Sequence, residues 1–172
     1  MSRIQALSIE QAAASAQPSL RAVEKAVGFL PNAFRTLANS PAALGGYLQL
    51  KQALSKGELS PAEGEWLALA VSQVNECEYC LASHTYFAGK AGLSEDAIRA
   101  ARDGEGNMVA AFASKLARQR GKLDDADIKA AREAGLSDGK IVEIVANVVL
   151  LTYTNLLNNL AQTEVDFPPV AV

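Results

Sequence analysis

The chain of 172 residues is long enough for one domain, and its 49% hydrophobic and 20% charged residues are typical of a folded globular protein rather than a disordered one. A net charge of −3 argues against the basic surface of a nucleic-acid-binding protein. The N-terminal segment lacks the apolar run of a signal peptide, and the apolar stretch Ile144–Leu151 is too short and too polar to span a bilayer, so we expect a cytoplasmic protein without a membrane anchor.

Helix-start signals recur along the chain. Asn39–Ala43 (NSPAA) combines cap residues with a proline, and Ser60–Glu63 (SPAE) adds the glutamate of a capping box. Ser94 and Ser137 each follow a glycine-containing stop and open a further helix. Because apolar residues recur at intervals of three and four without strand-like alternation, the sequence predicts an all-α fold of about seven or eight helices. We expect a single domain over residues 1–172, with an N-terminal helical region (1–57) and a core region (58–172).

The C-terminal part of the chain carries the most apolar predicted helix. The segment Ile141–Leu160 is apolar on nearly all sides, which predicts a central core helix or one shared with another subunit. Val74–His84 also aligns without gaps with Val148–Asn158, which suggests a weak internal helical repeat.

The stretch NECEYCLASH, residues 75–84, holds both cysteines and the only histidine. Asn75 and Glu78 have the spacing of a capping box, which predicts that a helix starts at Asn75. The spacing then places Cys77, Cys80 and His84 on one face of that helix. Cα atoms three residues apart lie about 5 Å from each other, which is within the range that a disulfide accepts.

The cluster has the parts of a reactive dithiol. A nucleophilic cysteine must be ionised, and the start of a helix favours a thiolate at Cys77. His84 can act as a base toward Cys80 or stabilise its thiolate when protonated. The residues alone therefore leave open which cysteine attacks. Either Glu63 or Glu65 on the preceding helix could orient His84, and periodicity does not choose between them.

Two other readings of the cluster need no redox chemistry. Buried cysteines can pack as inert small apolar side chains. A Cys-x-x-Cys pair near a histidine is also typical of zinc sites, but a closed structural site needs four ligands and the chain has neither a second cysteine pair nor a second histidine.

The motif resembles a known family. Glu65, eleven intervening residues, Cys77-x-x-Cys80 and His84 are similar to the active-site pattern of the alkyl hydroperoxidase D family, part of the wider carboxymuconolactone decarboxylase group. Val27–Leu44 and Thr152–Pro168 resemble its peroxidase-related branch. The resemblance implies an AhpD-like helical fold, homo-oligomers, and an antioxidant, peroxiredoxin-type reduction of alkyl hydroperoxides.

Carried over by position, the resemblance assigns a role to each residue. Cys80 attacks the peroxide, Cys77 resolves the product to a disulfide, and His84 with Glu65 forms the proton relay. An external dithiol then reduces the disulfide. The sequence does not show whether this reductant is a lipoyl protein, a thioredoxin-like protein or a small thiol. The cycle requires no metal, flavin or haem. Some family members have a second histidine between the cysteines, where this chain has Tyr79, and a phenol is a poor proton shuttle at neutral pH.

Two alternative functions follow from the same features. A dithiol–disulfide oxidoreductase or redox sensor would use the cysteine pair on another protein. A decarboxylase or other lyase, which is typical of the wider group, would need neither cysteine.

Overall fold

The structure, a computed structural model, describes residues 2–170, and all regular secondary structure in that range is helical. Its nine helices are α1 (Gln17–Val27), α2 (Asn32–Leu37), α3 (Pro41–Leu54), α4 (Pro61–Val74), α5 (Glu78–Lys90), α6 (Glu95–Asp103), α7 (Met108–Gln119), α8 (Asp125–Glu133) and α9 (Asp138–Ala161). The predicted all-α fold is confirmed. The described range holds one helix more than the upper predicted number. The shortest helix, the six-residue α2, has no side-chain cap, so the sequence gives no signal for its start.

Local sequence signals explain most helix starts. The Ser60 side chain accepts a hydrogen bond from the Glu63 backbone N–H, and the Glu63 carboxylate accepts one from the Ser60 backbone N–H, which completes a capping box at α4. The hydroxyl groups of three further serines each accept a hydrogen bond from the backbone N–H three residues later. Ser40, Ser94 and Ser137 cap α3, α6 and α9 by this contact. These caps fix where α4 and α9, the two central helices, enter the core.

The core is built around α4 and α9. Helix α4 packs on α5, α6, α7 and α9, and the largest apolar cluster lies between α4, α7 and α9. Each fully buried Leu, Ile or Val of this cluster stabilises the fold by about 1.5–3 kcal/mol relative to exposure. The N-terminal helices form a second cluster that includes Leu150 of α9, so these helices pack directly on the helix that completes the core.

Helix α9 is longer than its apolar sequence run suggests. It spans 24 residues, and by length and composition alone it could cross a membrane, because an 18-residue window has a mean hydropathy of 1.5. The core helix of a globular protein meets the same criterion, and α9 packs against α3, α4, α5 and α7. The other side of α9 exposes apolar side chains to solvent, namely Val142, Val145, Val149, Tyr153, Leu156 and Leu160.

The two stretches suggested as a repeat differ in local structure. Val148–Asn158 is uninterrupted helix, whereas Val74–His84 includes the end of α4, a turn and the start of α5. Cys77 lies at the end of that turn, and Cys80 follows in the first turn of α5.

Candidate active site

The turn between α4 and α5 sets the positions of the two cysteines. Asn75 ends α4, and Glu76 follows in the left-handed region with φ 50°. Cys77 is the N-cap of α5, where its Sγ accepts a hydrogen bond from the Cys80 backbone N–H at 3.4 Å. The prediction that Asn75 caps this helix in a box with Glu78 is therefore wrong, because the cap lies two residues later.

Tertiary contacts explain why Asn75 does not cap α5. Its Nδ2 donates to Asn155 Oδ1 at 2.8 Å, and its backbone carbonyl accepts from Asn159 Nδ2 at 2.9 Å. Both partners lie on α9. The carboxamide is thus used to hold the turn against the central helix, and the later cap places Cys80, rather than Cys77, in the first turn of α5.

The two thiols are free, buried and electrostatically different. Cys77 is 0% exposed and Cys80 3% exposed. A hydrogen bond from Cys77 is the largest effect on the Cys80 thiol, and it lowers the pKa. Burial raises that pKa, whereas the charge of His84 and hydrogen bonds from Asn158 and Asn155 lower it. The net result is a pKa of about 7. The same hydrogen bond raises the pKa of Cys77, as do its burial and the charge of Cys80, so the shared proton stays on Cys77. The geometry therefore favours Cys80 as the thiolate.

His84 is held by the carboxylate that the family pattern indicated. His84 Nδ1 lies 2.9 Å from Glu65 Oε2, and both side chains are about one-fifth exposed. Burial lowers the pKa of His84, but the charge and hydrogen bond of Glu65 outweigh it and raise that pKa above its ordinary value. Glu63 is committed to the α4 capping box and to an ion pair with Lys140 at 2.6 Å. Contact with Glu65 leaves Nε2 of His84 as the nitrogen available for chemistry.

An asparagine from α9 completes the surroundings of Cys80. Asn158 Nδ2 donates to Cys80 Sγ at 3.3 Å, and Asn155, whose hydrogen bonding also lowers the pKa of Cys80, is held by Asn75 Nδ2. A buried amide in an apolar helix needs a hydrogen-bond partner, and Cys80 is the partner of Asn158 Nδ2. The family pattern did not include Asn158 among the site residues.

Cys80 and His84 line a cavity of about 230 Å³ whose walls are mainly apolar and aromatic. Its lining includes the rings of Phe34, Tyr47, Phe87 and Phe167, with Lys51 also on the wall. Cys77 does not line it. A small oxidant that enters the cavity therefore meets Cys80 first, with Cys77 behind it. Within residues 2–170, no group of three or more His, Cys, Asp or Glu side chains is arranged to hold a metal ion.

The C-terminal segment after α9 closes one side of the cavity. Phe167 packs edge-to-face on Tyr79, with ring centroids 5.8 Å apart. Tyr79 Oη donates to Asp166 Oδ1 at 2.8 Å and accepts from the Ala33 backbone N–H at 3.1 Å. Burial, the leading cause, and the charge of Asp166 raise the pKa of Tyr79, so the phenol stays protonated. Tyr79 therefore fastens α5 to α2 and to this segment.

Comparisons with known proteins match part of the chain to a family model and its fold to solved structures. The model described as the carboxymuconolactone decarboxylase family matches residues 41–111. The structure described as an alkylhydroperoxidase AhpD core, an uncharacterized peroxidase-related protein from Ralstonia eutropha JMP134, superimposes with a TM-score of 0.85 at 22% identity, over 96% of this chain and 92% of that chain. Residues 41–111 of this chain therefore match the carboxymuconolactone decarboxylase family model, and the chain as a whole has the AhpD-like fold.

Two further solved structures share the AhpD-like fold. An uncharacterized peroxidase-related protein from Silicibacter sp. TM1040 has a TM-score of 0.76 at 22% identity, over 99% of this chain and 96% of that chain. The debrominase Bmp8 has a TM-score of 0.73 at 20% identity, over 89% of this chain and 87% of that chain. A cysteine-to-alanine variant of Bmp8 was solved in complex with 2,3,4-tribromopyrrole. No curated protein matches this chain significantly in sequence.

The family match covers only part of the AhpD-like site. Residues 41–111 include Glu65, Cys77, Cys80 and His84. Asn158 and the C-terminal segment lie outside the match. The contact between α9 and Cys80 is therefore visible only in the folded chain.

Proposed function

We propose that this protein is a thiol-dependent peroxidase that reduces alkyl hydroperoxides, with Cys80 as the attacking and Cys77 as the resolving thiol. The partial match to the family model and the AhpD-like fold support a peroxidase-related or lyase-type enzyme. The observation that carries the finer assignment is the asymmetry of the thiols: the one with the lowered pKa lines a cavity, and the one with the raised pKa lies behind it. A peroxidase needs this order, because the attacking thiol must be ionised and must be reached first.

The cycle uses groups that lie at the cavity. The Cys80 thiolate attacks the terminal oxygen of the hydroperoxide, the O–O bond breaks, and the alkoxide takes a proton from the imidazolium of His84, whose protonated form Glu65 favours. Cys80 is left as a sulfenic acid, with which the Cys77 thiol condenses to form a disulfide and water. An external dithiol then restores both thiols through a mixed disulfide. We place this cycle in the cytoplasm, where reducing thiols are maintained.

The test counts thiols against peroxide. Purified reduced protein should consume about one cumene hydroperoxide per Cys77/Cys80 pair and lose both free thiols. Cys80→Ser should abolish consumption, whereas Cys77→Ser should still consume one peroxide but stop at the sulfenic acid, which a dimedone adduct detected by mass spectrometry would identify. Peroxide loss that survives Cys80→Ser would overturn the assignment.

The same proteins test the alternative functions. A dithiol oxidoreductase or redox sensor would oxidise without efficient peroxide turnover, and Cys77→Ser would trap a partner protein on Cys80 as a mixed disulfide. A cysteine-independent lyase would keep full activity in the Cys77→Ser/Cys80→Ser double variant.

A second candidate reaction, reductive dehalogenation, is favoured by the shape of the cavity wall. Five aromatic residues line the cavity of Cys80, and such walls suit a flat aromatic ligand. A thiol pair can supply the two electrons that replace an aryl halogen by hydrogen, with a disulfide and halide as the products. Release of bromide from 2,3,4-tribromopyrrole by the reduced protein, in equal amount to disulfide formed, would favour this reaction. Peroxide consumption without bromide release would exclude it.

We also propose that the partner of the exposed α9 face is a second copy of this chain. Val142 is 66%, Leu156 62% and Leu160 63% exposed, although they are apolar. With Val145, Val149 and Tyr153 they recur at intervals of three and four along one side of the helix, which is the spacing of a helix–helix contact. A contiguous apolar surface of this kind is typical of association.

A further inference from the structure

The carboxamide of Asn158 is used on only one side. Its Nδ2 donates to Cys80 Sγ at 3.3 Å, whereas its Oδ1 is buried and has no hydrogen-bond partner among the described residues. The residue as a whole is 4% exposed. Leaving a buried acceptor unsatisfied costs free energy, so such a group calls for a functional or a structural explanation.

The position of Asn158 indicates where a partner for Oδ1 could come from. Three other buried side-chain oxygens lack partners in the described part of the chain, and they belong to Thr36, Thr85 and Thr163. Of these four residues, Asn158 is the only one that lines the cavity of Cys80 and His84. It also borders a smaller and more polar hollow beside Glu76 and Glu78, where water could satisfy the same atom.

We propose that Asn158 is a catalytic residue: its Oδ1 accepts a hydrogen bond from the terminal hydroxyl of an organic hydroperoxide while its Nδ2 donates to the Cys80 thiolate. This inference rests on the proposed peroxidase function. One planar amide thereby holds the nucleophile and the atom that it attacks. The donor side stabilises the thiolate, and the acceptor side orients the peroxide with its apolar group toward the aromatic wall.

The step balances with groups that are already at the site. The electron pair of Cys80 Sγ forms the S–O bond to the terminal oxygen, and the O–O bond breaks so that its electrons leave on the alkoxide. That alkoxide takes the proton from the His84 imidazolium and leaves as the alcohol. The proton on the terminal oxygen never moves: it becomes the O–H of the sulfenic acid and can keep its hydrogen bond to Asn158 throughout.

The experiment compares two electrophiles in the full-length protein. Cumene hydroperoxide has a terminal hydroxyl that can donate a hydrogen bond to Asn158 Oδ1. Iodoacetamide alkylates the same thiolate but has no such hydroxyl. Both second-order rate constants are measured in single turnover at about pH 9, where a Cys80 with a pKa near 7 is ionised, so that the effect of Asn158 on thiol ionisation drops out. Asn158→Leu should lower the peroxide rate constant by about 10- to 100-fold and the alkylation rate constant by less than about threefold.

Two further variants keep the comparison informative. Asn158→Ala, which cannot clash with its neighbours, should give the same selective loss even if the leucine variant folds poorly. Thr163→Val removes another buried, unpaired oxygen, at a residue that does not line the Cys80 cavity, and should leave the ratio of the two rate constants unchanged. Circular dichroism melting curves check that each variant is folded.

The outcomes separate this inference from the proposed function. A ratio that stays constant in both Asn158 variants would overturn the catalytic role, because Oδ1 would then be serving only the structure or a water in the polar hollow. If the unsubstituted protein alkylates but does not reduce peroxide even at neutral pH, where the His84 imidazolium can supply its proton, the proposed function fails and the role of Asn158 fails with it.

Discussion

The hydrogen bond between the two cysteines can be tested by changing the donor alone. It is the largest of the effects that lower the pKa of Cys80. In Cys77→Ala the donor is lost, whereas in Cys77→Ser a hydroxyl remains at the same place and can still donate. We therefore expect the alanine variant to raise the pKa of Cys80 and the serine variant to leave it close to about 7.

The expected size follows from the ionised fraction of the thiol. With a pKa of about 7, Cys80 is half ionised at pH 7. An ordinary thiol with a pKa near 8.5 is only about 3% ionised at that pH, a decrease of about 15-fold, which corresponds to about 2 kcal/mol of lost thiolate stabilisation. Burial pushes the pKa of Cys80 further up, while His84 and Asn158 hold it down, so we take the ordinary value as the end point for Cys77→Ala.

The assay is the pH dependence of iodoacetamide alkylation, which reports Cys80 alone in both variants. At pH 7 the alanine variant should react about 15-fold more slowly than the serine variant, and at about pH 10 the two should react alike. The decisive comparison is between the two variants, since neither can form the disulfide. Superimposable pH profiles would refute the reasoning, because the proton of Cys77 would then have no influence on Cys80.

Three other variants test the surroundings of the site. Glu65→Gln removes the charge that raises the pKa of His84, so the NMR titration of this sole histidine should move to lower pH. Peroxide reduction at neutral pH should fall by about 10-fold or more. A titration that does not move would contradict the pairing of His84 with Glu65. Tyr79→Phe removes the hydrogen bond to Asp166 and should lower the free energy of unfolding by about 2 kcal/mol in urea titrations. The rate of Cys80 alkylation should stay within about threefold of that of the unsubstituted protein. A large loss of thiol reactivity would instead indicate that the phenol acts in the chemistry. Leu156→Glu should reduce the molar mass measured by light scattering to that of a monomer if α9 joins copies of the chain, and an unchanged mass would place the interface elsewhere.

The fold could be predicted because its signals are local. A serine, a proline and a glutamate within four residues fix the start of α4, and the structure has the capping box that Ser60–Glu63 predicts. The same kind of pattern misled at Asn75, whose side chain has partners on α9 that are 77 and 80 residues away in the chain. A capping box and a tertiary contact compete for the same carboxamide, and the sequence does not show which one wins.

The site could be predicted only as far as its residues lie close together in sequence. Cys77, Cys80 and His84 are within one short stretch: Cys80 and His84 lie one turn apart on α5, and Cys77 caps the same helix. The contact of Glu65 with His84 came from family resemblance, since periodicity left Glu63 equally open. Asn158 and Phe167 reach the cavity through the packing of α9 and of the segment that follows it, and no local pattern indicates such contacts.

The arrangement of α9 separates the proposed chemistry from the proposed assembly. Its buried side supplies Asn158 to Cys80, whereas Leu156 and Leu160 lie on the side that is open to solvent. Cys77, His84, Asn155 and Asn158, which lower the pKa of Cys80, are all supplied by the chain that carries the thiol. A monomeric Leu156→Glu variant should therefore keep the alkylation profile of Cys80, with its midpoint near pH 7. A midpoint that rises on dissociation would mean that a neighbouring copy helps to ionise the thiol, and the site would then be incomplete in one chain.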